Sequence, residues 1–378
     1  MLKKVAILSS GGDAPGLNAV IRAIVKTGEE NGVECFGFIN GYKGLLENDY
    51  VKLDSNGNAS GLLHRGGTML KSTHSLNVFN MPEEKDGETI YVDKSDECIE
   101  NLRNEGFECL FTIGGDGTQK SARDFSVKGF PVIGIPKTID NDVPATDITF
   151  GYNTAVNTVA EAIDKLHTTA DSHNRIMVVE AMGRNAGWIA LEAGIAGGAD
   201  AILIPEIPYD IEVVAKYILN RKDNGKEFSI VVVAEGAMPK GGEISVKENF
   251  KGKGIHNVRL GGIGEKITEE LKPLTKMDIR HVTLGHLQRG GIPTPFDRVL
   301  STKYGAAAMR LALKGTFNVL VSIKNANLSY ATLEEVVGEN TEIGAASGGT
   351  KETSIRNIQL DDDLILTAKS IGICLGSK

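Results

Sequence analysis

One junction recurs along this chain and limits what it can fold into. A short β-branched or apolar run meets a glycine pair with an aspartate, and residues at helical spacing follow. Residues 4–8 (KVAIL) end at Ser9-Ser10-Gly11-Gly12-Asp13, after which 18–29 repeats Ala, Val and Ile with a helical period. Residues 109–113 (CLFTI) end at Gly114-Gly115-Asp116-Gly117-Thr118, and a helical 119–125 follows. Residues 132–135 lead into Pro136-Lys137-Thr138-Ile139-Asp140-Asn141-Asp142, and the helix expected over 153–169 sets Val156, Val159, Ala160, Ile163 and Leu166 on one face. Residues 176–180, 201–204 and 230–234 read as buried strands with helices between them. Strands alternating with helices predict an α/β fold with a doubly wound parallel sheet, since each parallel strand needs a crossover helix to return. The 45 glycines of the 378 residues exceed the usual share of about 7%, and with no fixed period they mark loops rather than a repeat architecture.

Charge and cysteine usage narrow the function. Lys and Arg number 41 against 49 Asp and Glu, a formal net charge of -8. That balance argues against a nucleic-acid or acidic-membrane partner, yet leaves room for a small phosphorylated ligand held by a local arginine cluster. The chain is long enough for two domains, with an expected seam near 150–154. Its N-terminal apolar run is too short for a signal peptide, and no stretch reaches the roughly 18 apolar residues of a membrane helix. Cys35, Cys98, Cys109 and Cys374 show no CxxC spacing and read as reduced core residues of a cytoplasmic protein. The polar stretch 74–97 predicts a surface excursion with a hairpin around 89–92. The Gly- and Lys-rich stretch 236–264 predicts a mobile loop near a ligand.

Several residues carry candidate chemistry. Gly11-Gly12-Asp13 and Gly115-Asp116-Gly117-Thr118 each stand between a strand and a helix, where backbone N–H groups and the helix dipole cradle phosphate. Asp116 suits either a Mg²⁺ ligand or a helix cap. Asp140 and Asp142 follow a strand end as a candidate base and its charged neighbour, or as an Asx-rich turn. Arg175, Arg184, Arg280 and Arg289 lie at strand ends or in glycine loops, with His286 nearby. Guanidinium groups there suit phosphoryl oxygens. No Walker loop, protein-kinase set, zinc-ligand spacing or G-x-S-x-G occurs. The residues thus point to Mg²⁺-dependent phosphoryl transfer and leave the acceptor open.

Taken in order, SGGDAPGLNAVIR (10–22), IGGDGT (113–118), PKTIDND (136–142), SHNRIMVVEAMGR (172–184), AEG (234–236) and LGHLQRGG (284–291) resemble the 6-phosphofructokinase family along nearly the whole chain. The resemblance implies two doubly wound, Rossmann-like lobes of phosphofructokinase type. Residues 1–151, with part of 289–340 returning, would bind the donor. Residues 152–288 would bind the sugar phosphate, with 341–378 packing on them. The implied reaction is phosphorylation of fructose 6-phosphate at its C1 hydroxyl, with Mg²⁺, in a homotetramer or homodimer.

The resemblance also implies roles. Asp140 is the base; Thr138 and Asp142 position the reacting groups; Asp116, or Asp142, engages Mg²⁺. Arg184 steadies the transferring phosphoryl group. Met182 and Gly183 line the sugar pocket and Glu235 takes sugar hydroxyls. Arg280, His286 and Arg289 bind the 6-phosphate, and Arg175 reaches in from a neighbouring subunit. Gly12, Gly115, Asp116, Gly117 and Thr118 hold the donor. A glycine after the GGD aspartate goes with ATP in this family, and Gly117 leaves room for an α-phosphate that an Asp would repel. Lys137 stands where pyrophosphate-dependent relatives usually carry lysine. ATP is therefore the expected donor and pyrophosphate the alternative. His74 replaces an expected donor-contacting Arg, which makes Lys71 the candidate substitute. Lys26 and His167 stand where typical bacterial members carry effector-site arginines, which weakens the anion contacts of that site and leaves its effectors open.

Overall fold

In the computed structural model, which describes residues 2–73, 76–85, 88–249, 258–338 and 355–377, the strand–glycine–helix junctions form the middle of a large sheet. Its order from one edge to the other is Asn327–Thr332, Val319–Lys324, Val132–Thr138, Cys109–Gly114, Lys4–Ser9, Glu34–Phe38 and Tyr50–Leu53, with the short Phe150–Gly151 beside Val132–Thr138. The inner pairings are parallel, whereas the strand at each edge runs antiparallel. The sheet is therefore mixed rather than purely parallel. Alternation decides its faces: Val5 and Ile7 pack with helices Leu17–Glu29 and Pro295–Leu313, while Ala6 and Leu8 pack with Ser95–Asn104, Asp116–Val127 and Leu333–Val337. Each large apolar side chain so buried contributes about 1.5–3 kcal/mol relative to exposure.

A second sheet, wholly parallel, runs Ala201–Leu203, Ser229–Ala234, Ile176–Ala181, Ile279–Thr283. Helices Tyr152–His173 and Trp188–Ala196 cover one face, and Ile211–Asp223 and Ile263–Thr275 cover the other. The C-terminal helix Asp363–Ser370 packs through Ile365 and Ala368 on the first of these faces. The lobes are joined at Asp297, which has no exposed surface. Its carboxylate accepts from Gly151 N (3.0 Å), Thr154 N (2.8 Å) and Thr154 Oγ1 (2.6 Å), and so caps helix Tyr152–His173 from the first turn of Pro295–Leu313.

Two segments differ from expectation or refine it. Part of 236–264 is not loop, because Val246–Asn249 pairs antiparallel with Val258–Leu260; residues 250–257 lie outside the described residues. Around 89–92, strand Glu88–Val92 pairs with Met81–Lys85. All four cysteines are buried and unpaired with one another. Among the described residues, no helix is long and apolar enough to cross a membrane.

The strand order locates the site. From Lys4–Ser9 the chain moves outward to Glu34–Phe38 and Tyr50–Leu53, then returns to the opposite side of Lys4–Ser9 at Cys109–Gly114. Connections leaving in opposite directions open a crevice at the C-terminal ends of those two strands, where open α/β sheets bind ligands. Both glycine loops sit there.

Candidate active site

A cleft between the lobes is lined on the large-sheet side by Gly11, Gly12, Gly115, Asp116, Gly117, Thr118, Lys137, Thr138, Asp140 and Asp142, and faced by Arg184, Asn185 and Arg289. Gly115 is the N-cap of helix Asp116–Val127, so the free N–H groups of its first turn join the loop in offering an anion site. Asp116 occupies the first turn rather than the cap position, and its carboxylate meets the Lys120 ammonium at 3.3 Å. Gln119, fully buried one turn later, donates from Nε2 to Gly114 O (2.8 Å) and Ile135 O (3.2 Å). It thereby fixes the phosphate-loop strand against the strand that carries the aspartates. A Cβ on Gly134 would lie 2.1 Å from Gln119 Oε1, so the amide fits only beside glycine.

The aspartate turn is tightly held. Asn141 adopts φ 53°, a left-handed conformation that Asn tolerates better than most residues, and this places it between Asp140 and Asp142. Thr149 N donates to Asn141 Oδ1 (2.9 Å), Thr149 Oγ1 donates to Thr138 O (2.7 Å), and Asp140 N donates to Thr138 Oγ1 (3.1 Å). Burial raises the Asp140 pKa, against the pull of Arg289, Lys137 and Arg184. Burial, then the charges of Asp140 and Asp116, push Asp142 up to about 8. Lys137 is buried and donates to Gly12 O; loss of hydration, with Arg289 close by, lowers it to about 7. Glu235 is lifted to about 7 by burial, then by Asp140. Carboxylates held near neutrality are what proton transfer at physiological pH requires.

The facing wall rests on close backbone packing. A Cβ on Gly236 would lie 1.9 Å from Arg184 O, so the end of strand Ser229–Ala234 sits directly beneath that arginine's backbone. Gln288, fully buried, accepts from Met182 N at 3.1 Å and donates to Gly285 O at 3.1 Å. This ties the short helix Gly285–Arg289 to the 182–184 turn. Arg289 enters the cleft and donates to Asp13 O at 3.2 Å.

Not every expected residue joins this cleft. Arg175 precedes strand Ile176–Ala181, whereas Arg184 follows it. Arg280 lies near the start of the neighbouring strand Ile279–Thr283. Both arginines pair with Asp278, at 2.5 Å and 2.7 Å, roughly 20 Å from the cleft along the strands. The expectation that Arg280 joins His286 and Arg289 around one phosphate is thus not met within one chain. His286 is exposed, on the short helix that carries Arg289, and is not among the residues lining the cleft. Lys71 is exposed at φ 58°, its carbonyl accepts from Ser9 Oγ (2.9 Å), and its side chain is not among those lining the cleft. His74 lies outside the described residues. Tyr42, Ser121, Asn185 and Ile355 line the cleft without having been singled out from sequence. Of these, only Asn185, next to Arg184, had a neighbouring motif to signal it.

Asp116 and Asp142 raise the demand for a cation in the cleft. Among the described residues no group of three or more His, Cys, Asp or Glu could hold a metal alone. That combination fits Mg²⁺, which binds through one or two carboxylates together with substrate phosphates.

Comparison with known proteins gives one family. A family model described as Phosphofructokinase matches residues 4–312. The ATP-dependent 6-phosphofructokinase 2 of Clostridium perfringens is 50% identical over 375 residues, covering 98% of this chain and 98% of that protein. Among solved structures, Pichia pastoris phosphofructokinase in the T-state aligns with a TM-score of 0.76 and 31% identity. The alignment covers 89% of this chain but only 35% of the yeast chain, so this chain spans about a third of that larger protein. A pyrophosphate-dependent phosphofructokinase from Marinobacter aquaeolei aligns with a TM-score of 0.78 over 100% of this chain and 93% of its own, at 20% identity, which shows the shared fold. The matched region includes both glycine loops, the aspartate turn and both cleft arginines, and the chain belongs to the phosphofructokinase family.

Proposed function

We propose that this chain is an ATP-dependent 6-phosphofructokinase that converts fructose 6-phosphate to fructose 1,6-bisphosphate. The observation that carries this reading is the cleft itself, in which a glycine-and-helix anion site, Asp140, Arg184 and Arg289 line one space. Asp140 takes the proton of the C1 hydroxyl as the oxygen forms its bond to the γ-phosphorus. The bond from that phosphorus to the bridging oxygen breaks and ADP leaves. Thr138 and Asp142 position the reacting groups, and Arg184 steadies charge on the phosphoryl group in flight. Gly12, Gly115, Asp116, Gly117 and Thr118 hold the donor phosphates, with Lys137 beneath them. Bound at Asp116 and the phosphates, Mg²⁺ supplies charge neutralisation. Met182, Gly183, Glu235, His286 and Arg289 hold the sugar phosphate.

Arg175 and Arg280 serve the 6-phosphate of a neighbouring subunit's cleft in a homodimer or homotetramer. Their shared position on Asp278, far from their own cleft, supports that role. The lobe of 1–151 with its returning strands is the donor side, and 152–288 with the C-terminal segment is the sugar side. The setting is the cytoplasm. Pyrophosphate is the disfavoured donor: the half-identical relative is named ATP-dependent, and Lys137 is already engaged by the Gly12 carbonyl.

The test is paired assays with fructose 6-phosphate and Mg²⁺, one with ATP and one with pyrophosphate, on wild type and Asp140→Asn. Turnover with ATP alone, lost in the variant while fructose 6-phosphate still binds, is the expected result. Turnover of the variant at the wild-type rate would sink the assignment of Asp140. Turnover with pyrophosphate alone would reverse the donor.

A further inference from the structure

The aspartate turn is also held from the far end of the sequence. Arg356 N donates to Asp142 O at 2.9 Å, and Arg356 Nη1 donates to Asn141 O at 3.1 Å. Its guanidinium carbon lies 4.2 Å from the centroid of the Trp188 ring, and Trp188 Nε1 donates back to Arg356 O at 2.9 Å. Two residues on, Ile358 N donates to Glu206 Oε1 (3.2 Å), whose carboxylate also accepts from Gly187 N at 3.0 Å. Segment 355–358 thus grips the aspartate turn through Arg356 and, through Ile358, the Glu206 carboxylate that also holds the start of helix Trp188–Ala196. Ile355 lines the cleft beside them.

We propose that Arg356 is a positioning residue for phosphoryl transfer. It pins the backbone of the 138–142 turn so that Asp140 is held at the reacting oxygen, with Trp188 as its platform. The proposal rests on the reading of Asp140 as the base. Three features support it. First, the left-handed φ of Asn141, which Asn adopts more readily than most residues, sets where the flanking aspartates stand, so contacts that hold Asn141 also hold them. Thr149 supplies one constraint through the side chain of Asn141, and Arg356 supplies the other through its carbonyl. Second, the contacts go to backbone carbonyls and not to the carboxylates, so Arg356 fixes where the aspartates stand and leaves their oxygens open to ligands. Third, a guanidinium can donate to a carbonyl while its face stacks on an indole, a combination that a lysine ammonium lacks.

The experiment uses Arg356→Ala and Arg356→Lys in the full chain, beside Asp140→Asn. Steady-state rates are taken with Mg-ATP and fructose 6-phosphate well below the melting temperature of each variant. Trp188 is the chain's single tryptophan, so its emission reports the platform directly. For Arg356→Ala we expect kcat to fall about 10- to 100-fold, with the KM for fructose 6-phosphate changed by less than about threefold and the Trp188 emission shifted. Arg356→Lys should recover part of kcat, since it restores a donor to the carbonyl without the stack.

A kcat within twofold of wild type for Arg356→Ala, with shifted emission, would overturn the proposal, because the contact would then be lost without consequence. A rate loss that tracks the loss of folded protein, or that appears wholly in KM, would overturn it equally. Failure of the base reading is recognised separately, by an active Asp140→Asn.

Discussion

Glu235 closes the strand Ser229–Ala234, and burial beside Asp140 and Glu180 lifts its pKa from 4.5 to about 7. Between those values the folded chain holds a proton that the unfolded chain has released, so stability falls as pH rises from about 4.5 to 7. Glu235→Gln removes that dependence. Thermal melts of the ligand-free protein should therefore show wild type and variant close together at pH 5, with the variant more stable by pH 8. A gap that does not change with pH would contradict the assigned shift. The cleft's main residues were legible at this scale, because Asp116 and Asp140 follow neighbouring parallel strands of the large sheet and so share one edge, while Arg184 follows a strand of the second sheet and faces them from there. Arg280 was not. Whether it belongs to the leading or the trailing end of its strand depends on register with Ile176–Ala181, which a single sequence does not display. Arg356 was illegible for a different reason. It lies in no motif, and its role comes from a contact across more than two hundred residues.

Helix ends carry much of the architecture. Asp297 serves two, standing in the first turn of Pro295–Leu313 and capping Tyr152–His173. Asp297→Ala would orphan the Gly151 and Thr154 N–H groups and is expected to cost about 2–4 kcal/mol, read from urea midpoints. Gly236→Ala acts differently. Its methyl would press on the Arg184 carbonyl, so activity should fall at least about tenfold while stability drops by only about 1–3 kcal/mol. A fully active Gly236→Ala would show that the Arg184 turn can yield. The inner strands were legible as elements because apolar runs bounded by glycine leave little choice. The ribbon within 236–264 was not, since Val246–Asn249 (VKEN) holds a single apolar residue and resembles a polar loop until a partner strand is present. Gln119 and Gly134 form another neighbouring pair: a side chain at 134 would displace the Gln119 amide that ties Gly114 to Ile135.

At the scale of the molecule, Arg175 and Arg280 sit at the opposite end of their sheet from their own chain's cleft. A chain with Arg175→Ala should show a raised KM for fructose 6-phosphate, and Asp140→Asn should show no turnover. If the 6-phosphate site is completed between chains, mixing the two variants by unfolding and refolding them together should return activity above that of either alone. Mixed assemblies that gain nothing would place each site within one chain. Asp278 gives this arrangement a further property. Its two carboxylate oxygens each take one guanidinium, so the pair is already gathered around a small oxyanion before any ligand arrives. Much of the entropy of ordering two long side chains is therefore spent during folding and not at binding. If the two arginines take the 6-phosphate, Asp278 is a mimic of that anion carried in the chain, and an arriving phosphate would compete for a place already kept open in its shape.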